Sequence, residues 1–300
     1  MAESDMPWTE KPPRLDIGVI GTGRVGAVIG AALHRAGHTV SAVSAVSDIS
    51  RLRAESLLPG AKILPIDEVV KDRDLILLTV PDDVLADLVA GLAKTKSVSP
   101  GSFVIHTSGR LGIKVLAPLT EQGCLPLAIH PVMTFTGTSV DLNRLSGCPF
   151  GVTAPDALRP VAEALVVEIG GEPIWVPEEN RNLYHTALAF GANNLITIVN
   201  ETIDLLSKAG IENPTAIVAP LLNASLDNAL RNGDAALTGP ISRGDVLTVT
   251  AHIQQLARIS PATLAAYKAM GRLTLDRALE SGMVSAVQAQ KLLEVLSGEL

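Results

Sequence analysis

The sequence predicts an α/β protein: a doubly wound parallel sheet at the N-terminal end, then an all-α helical part. Three observations predict it. Short apolar runs alternate with helix-like segments from Leu15 to Val176. A glycine-rich turn stands between the first run and the first helix. After Pro177 the strand-like runs stop and only helical patterns follow.

Each element has its own signal. Leu15–Ile20 reads as the first strand and Arg24–Ala36 as a helix ended by Gly37. Thr39–Val43 is the next strand, and Asp48 can cap a helix to about Leu57. Asp74–Val80 is a buried strand, with a helix opening at Pro81. Gly101–Ile105, Cys124–Ile129 and Phe150–Thr153 are further strands; Ala157–Ile169 is a helix, and Glu172–Val176 closes the sheet. Beyond it, helices are expected over Glu178–Ala209, Pro214–Asn232, Asp245–Ile259, Pro261–Ser281 and Ser285–Leu296. The organisation is therefore a flexible lead over 1–14, a sheet domain over 15–177 and a helical domain over 178–300.

Composition narrows the function classes. The chain has 300 residues, 47% hydrophobic and 18% charged, so it can bury two ordinary cores. Its net charge of -7 argues against nucleic-acid binding, which needs a basic surface. Cys124 and Cys148 form no C-x-x-C pair, so no metal site is expected, and two reduced thiols suit a cytoplasmic location. No run is apolar enough for a membrane span: the best, Thr186 to Thr202, contains Asn193, Asn194 and Asn200 and reads as a buried helix.

Gly21-Thr22-Gly23-Arg24-Val25-Gly26 is G-x-G-x-x-G between a strand and a helix. The first glycine makes the turn, the second lets a pyrophosphate reach the backbone, and the third lets the helix close on the strand. The helix N-terminus then offers free N–H groups to phosphate. At the end of the second strand an NAD site often has a carboxylate; here Ser44 stands in that place, with Arg51 and Arg53 just beyond. A small hydroxyl and guanidinium groups suit a 2′-phosphate, so the expected cofactor is NADP(H). The alternative is that the arginines only solvate a helix face and Asp48 serves as the acid. Val80 and Pro81 end the strongest strand and can touch the cofactor, while Asp82 can cap the following helix.

Polar groups at strand ends should face the same crevice. His106 and Ser108 follow one strand, and His130-Pro131 another; each histidine can equally be structural. The first helix after Pro177 carries Tyr184, His185, Asn193 and Asn194. Such a polar stripe on an apolar helix reads either as a cavity lining or as an interhelical network. In Leu237–Asp245, glycine and proline shape a loop, Arg243 can clamp a carboxylate, and Asp245 can cap the next helix.

Together GTGRVG, LLTVPDDVL, HTSGRLG, LAIHPVMTF, LYHTALAFGANNL and LTGPISRGDV resemble the Rossmann-like NADP oxidoreductases that carry a C-terminal domain of unknown function. More distantly the chain is similar to the ketopantoate reductase, 6-phosphogluconate dehydrogenase and pyrroline-carboxylate reductase group. That resemblance implies a helical, commonly dimeric C-terminal domain. Several members carry Lys-x-x-x-Asn on the first long helix; here the register holds His185 and Ala189, so the lysine is missing and His185 can replace it. Asn193 matches a second substrate-binding asparagine of ketopantoate reductases.

The resemblance implies reduction of a small 2-oxo acid. Arg243 and Ser108 would hold its carboxylate, His185 would donate a proton, and Asn193 would orient the carbonyl. Asp245 would hold a substrate hydroxyl or only cap its helix, and His130 is the alternative acid. Cyclic-imine reduction, prephenate-like oxidation, a non-catalytic NADP sensor and a deazaflavin cofactor are the competing readings. The expected partners are a small carboxylate substrate and a second copy of the chain, with no nucleic acid and no membrane.

Overall fold

The computed structural model describes residues 14–298. The expected lead lies outside the described residues except for Arg14, whose guanidinium pairs with Glu168 at 3.4 Å. The chain divides into two compact units, the first ending at Phe190 and the second starting at Gly191.

The first unit holds one eight-stranded sheet. Its strands are β1 (Asp16–Ile20), β2 (Thr39–Ser44), β3 (Lys62–Ile63), β4 (Leu75–Leu78), β5 (Phe103–His106), β6 (Leu125–Pro131), β7 (Pro149–Thr153) and β8 (Glu172–Trp175), in the order 3-2-1-4-5-6-7-8. β1 to β6 are parallel, whereas β7 pairs antiparallel with β6. The expected doubly wound parallel sheet is present, with this one antiparallel pairing inside it. The link between β6 and β7 contains only a five-residue helix, too short to cross back over the sheet, so the chain returns antiparallel. β3 was not expected, because two residues make no periodic signal.

Helices cover the sheet: α1 (Arg24–Arg35), α2 (Asp48–Leu57), α3 (Ile66–Val70), α4 (Asp82–Thr95), α5 (Ala117–Thr120), α6 (Val140–Arg144) and α7 (Arg159–Glu168). Alternate residues of a strand face opposite sides. Leu75 and Leu77 accordingly enter one core, and Ile76 and Leu78 a second core. β4 is thus buried on both faces, which is why it reads as a continuous apolar run. The α2 cap is Ser47, whose hydroxyl accepts from the Ser50 N–H; Asp48 lies inside the first turn. Pro81, without a side-chain cap, precedes α4, and Asp82 pairs with Arg110 at 3.5 Å.

α8 (Arg181–Lys208) begins in the first unit and continues into the second. The second unit adds α9 (Pro214–Asn232), α10 (Val246–Ile259), α11 (Pro261–Glu280) and α12 (Ala286–Ser297). Val249, Leu275, Ala278, Leu292 and Leu296 form its core. Asp245, Ser260 and Ser285 cap α10, α11 and α12. The expectation of a buried helix at Thr186 to Thr202 is corrected. Leu195, Ile196 and Ile198 on α8 are exposed, as are Leu221 and Leu230 on α9. An apolar pattern records a demand for burial, but the elements of a single chain leave these faces uncovered. Among the described residues no helix is long and apolar enough to cross a membrane.

Candidate functional site

The strand order reverses at β1, which lies between β2 and β4. In such sheets ligands enter at the carboxyl ends beside this point. The glycine loop sits there. Gly21 has φ +93°, open to glycine but strained for other residues, and its N–H donates to Ser44 Oγ at 3.1 Å. Gly23 faces open space, and a Cβ there would meet nothing. A Cβ on Gly26 would collide with the Gly21 carbonyl oxygen and the Thr79 hydroxyl. The second and third glycines therefore meet the needs of ligand approach and helix closure respectively.

Two predicted contacts point inward. The Thr22 hydroxyl is fully buried and donates to the carbonyls of Ser44 and Ser50 at 3.2 and 3.0 Å. Val25 packs against the sheet core. Ser44 holds the loop through Gly21 and also borders a groove of about 400 Å³, shared with Val46, Arg51, Leu64 and Ile66. Val80 is half-buried and Pro81 exposed just past β4.

Arg24 lies in the first turn of α1, and Arg51 and Arg53 lie on α2. Among the described residues none of the three pairs with a carboxylate. A Cβ on Gly137 (φ +80°) would stand 2.7 Å from Arg53 Nε and 3.1 Å from Arg24 Cα. Only a bare backbone comes so close to both side chains. That backbone is fixed by Asp141, which is fully buried and accepts from the Thr136 and Gly137 N–H groups at 2.8 Å each and from the Thr136 hydroxyl at 3.0 Å. Burial alone would raise the Asp141 carboxyl, but these hydrogen bonds outweigh it and hold it below its ordinary range.

A second cluster forms past β5 and β6. His106 is a spent group: its Nδ1 accepts from the Ser108 N–H at 3.2 Å, so Nε2 carries the proton and donates to the Gly112 carbonyl at 2.9 Å. Burial drives it down to about 4. The Ser108 hydroxyl accepts from the Leu111 N–H at 3.0 Å, keeping only its own proton free. His130 Nδ1 and the Tyr184 hydroxyl share a 2.9 Å hydrogen bond, and the His130 and His185 rings meet edge to face at 6.0 Å. A Cβ on Gly109 would stand 2.5 Å from His185 Cδ2 and 2.9 Å from His130 Nε2. Burial first, then the charge of Arg181 and the nearness of His185, bring His130 down to about 4. At pH 7 such a group is protonated in roughly one molecule in a thousand.

The remaining predicted residues belong to the second unit. Asn193 and Asn194 are exposed. Arg243 is exposed, and Asp245 caps α10, accepting from the Thr248 N–H at 3.1 Å and its hydroxyl at 2.7 Å. Hydrogen bonds from Thr248, then the nearby charge of Arg243, hold Asp245 below its usual range. The sequence reading missed Arg181, Asp141 and Gly137. An arginine in the first turn of a helix gives no sign of burial in sequence, and helical spacing places Tyr184 and His185 one turn from Arg181 without saying which strand they meet.

Comparison with known proteins agrees with this architecture. Residues 1–131 match the Rossmann-like domain family, and residues 148–274 match a domain of unknown function, DUF2520. No curated protein matches the chain. Among solved structures it is similar to BF3122 of Bacteroides fragilis, a candidate NADP oxidoreductase. That match has 21% identity and a TM-score of 0.72, covering 88% of this chain and 98% of the other. Protein TM1727 of Thermotoga maritima is 21% identical, with a TM-score of 0.66 over 89% and 99% of the two chains. A 1-pyrroline-5-carboxylate reductase from Streptococcus pyogenes is 17% identical, with a TM-score of 0.56 over 89% and 99%. At these identities the likeness is one of fold.

Proposed function

Because the chain belongs to the Rossmann-like proteins that carry a DUF2520 domain, we propose that it is an NADPH-dependent oxidoreductase reducing a small 2-oxo acid of the ketopantoate kind. The observation that supports the nucleotide is the glycine loop, open at Gly23 and closed at Gly26, with three guanidinium groups beside it that pair with no carboxylate among the described residues, in a chain of net charge -7; the 2-oxo acid rests on the family resemblance. The loop and the first turn of α1 would hold the diphosphate. Ser44 and Arg51 border the groove for the adenosine end, and Arg24 and Arg53 offer charge to the 2′-phosphate.

When bound, NADPH supplies a hydride to the carbonyl carbon. The protein must then deliver a proton to the carbonyl oxygen. His130 is an unsuitable donor, since it is neutral at working pH. His185 is the other imidazole of the pair, and we assign the proton to it. His130 keeps a hydrogen-bonding role. Cys124 and Cys148 are both buried and free, which suits the cytoplasm.

The test is absorbance-monitored oxidation of NADPH and NADH with ketopantoate, other 2-oxo acids and cyclic imines. Saturable turnover with a 2-oxo acid, with NADPH preferred, is expected. The preference should vanish in a double Arg24→Ala, Arg53→Ala variant. Turnover with imines alone would move the assignment to imine reduction, and tight NADPH binding without turnover would leave a sensor.

We assign the exposed apolar faces of α8 and α9 to a second copy of this chain. Leu195, Ile196, Leu221 and Leu230 would cost too much to leave in water on two long helices. Light scattering should give twice the mass of the chain. A monomer at micromolar concentration would remove the assignment.

A further inference from the structure

Arg181 opens α8, and its guanidinium is fully buried. Nη1 donates to the Thr153 hydroxyl at 3.0 Å and to the Gly151 carbonyl at 3.3 Å; Nη2 donates to the Ser108 carbonyl at 2.6 Å. These acceptors are all neutral. Nε is buried with no hydrogen-bond partner, and no carboxylate lies within ion-pair distance among the described residues. A buried charge without an opposite partner is costly and uncommon. Burial pulls Arg181 below the usual guanidinium range, but it starts high enough to stay charged at neutral pH.

Its surroundings show what the charge faces. The guanidinium lies 5.9 Å from the centre of the Tyr184 ring, one helical turn along α8. The Tyr184 hydroxyl reaches His130 Nδ1, and a Cβ on Gly151 would collide with that hydroxyl. His185, one turn from Arg181, completes the column at the His130 ring. One cation therefore ties together the Ser108 loop, β7 and α8 and lies beside the Tyr184 ring, whose hydroxyl reaches His130, itself edge to face with His185.

We propose that Arg181 is a positioning residue for this site. It fixes the Tyr184–His130 pair, and its unanswered charge reserves the space before the two imidazoles for an anionic group of the substrate, a carboxylate or an enolate-like oxygen. The assignment deepens the 2-oxo acid reading and rests on it for the identity of the anion. The charged and titratable groups around His130 are Arg181, His185, His106, Tyr184 and Asp82. The Glu178 carboxylate near Arg181 is occupied by the N–H groups of Ile113 and Lys114 at 2.7 and 3.2 Å. None of the acids cancels the charge at contact.

The experiment is an NMR titration of the histidine ring signals in the full-length protein, with oxalate as the anion probe. In the wild type, oxalate should shift the His130 and His185 signals saturably, and His130 should stay neutral to about pH 4. Arg181→Gln should weaken oxalate binding roughly tenfold, a typical coupling of one nearby charge, and move the His130 midpoint upward. Tyr184→Phe should leave the His130 midpoint low but change its ring tautomer signals, because the charge remains while the Nδ1 partner is gone. If Arg181→Gln does not fold, Arg181→Lys serves: it should keep the low midpoint and lose the Tyr184–His130 hydrogen bond. Unchanged oxalate affinity and His130 titration in a folded Arg181→Gln or an unchanged hydrogen bond in Arg181→Lys would overturn the proposal. The nucleotide reading would survive that result, since NADPH binding is measured separately.

Discussion

His185→Ala is expected to lower turnover with a 2-oxo acid by roughly 10²–10⁴-fold, the usual share of one positioned proton donor. NADPH affinity should not change, because the glycine loop is built from β1, α1 and Thr79, whereas His185 lies on α8. The sign with pH follows from stoichiometry. Reduction consumes a proton, so the equilibrium should move toward the 2-oxo acid as pH rises. His130→Gln should give a smaller loss. His130 sits at about 4 and offers almost no imidazolium near neutrality. The measurement is steady-state kinetics of both variants, with the end-point of the wild-type reaction read at a low and a high pH. Full turnover in His185→Ala, with a collapse in His130→Gln, would exchange the two roles.

Gly26→Ala should weaken NADPH binding about 5–140-fold, from an overpacking cost of roughly 1–3 kcal/mol at 1.4 kcal/mol per tenfold. The added methyl would overlap the Gly21 carbonyl and the Thr79 hydroxyl at once. The Thr79 hydroxyl holds the carbonyls of Ile20 and Gly21, so relieving the overlap must move either α1 or the end of β4. Either movement displaces the N–H groups meant for the diphosphate. Gly23→Ala is the control for the folded state: it meets nothing and should keep stability while losing nucleotide affinity. Calorimetric titration with NADPH and urea unfolding separate the two effects. Unaltered binding in both variants would take the diphosphate away from this loop.

The sequence by itself determined whatever depends on neighbours along the chain. Gly21, Gly23 and Gly26 announce their task because backbone turns and helix packing impose it at fixed spacing. The run Leu75–Leu78 announces a strand buried on both faces, and the change of period after Pro177 announces the helices. Ser285 and Gln288 form a complete capping box within four residues.

Tertiary structure alone decided what depends on residues far apart. His106 and His130 look alike in sequence, each at a strand end, yet one has both ring nitrogens spent and the other meets Tyr184 and His185. Arg181 became buried because Ser108, Gly151 and Thr153 supply acceptors from three separate segments. Asp141 and Gly137 gained meaning only when their loop came to rest against Arg24 and Arg53. The apolar run of α8 predicted burial, but a single chain's fold covers no more than its own elements can reach, and that face stayed open. Local conformational preferences act through bonds and are legible in order; charge, burial and hydrogen bonding act through space and are settled when the chain closes on itself.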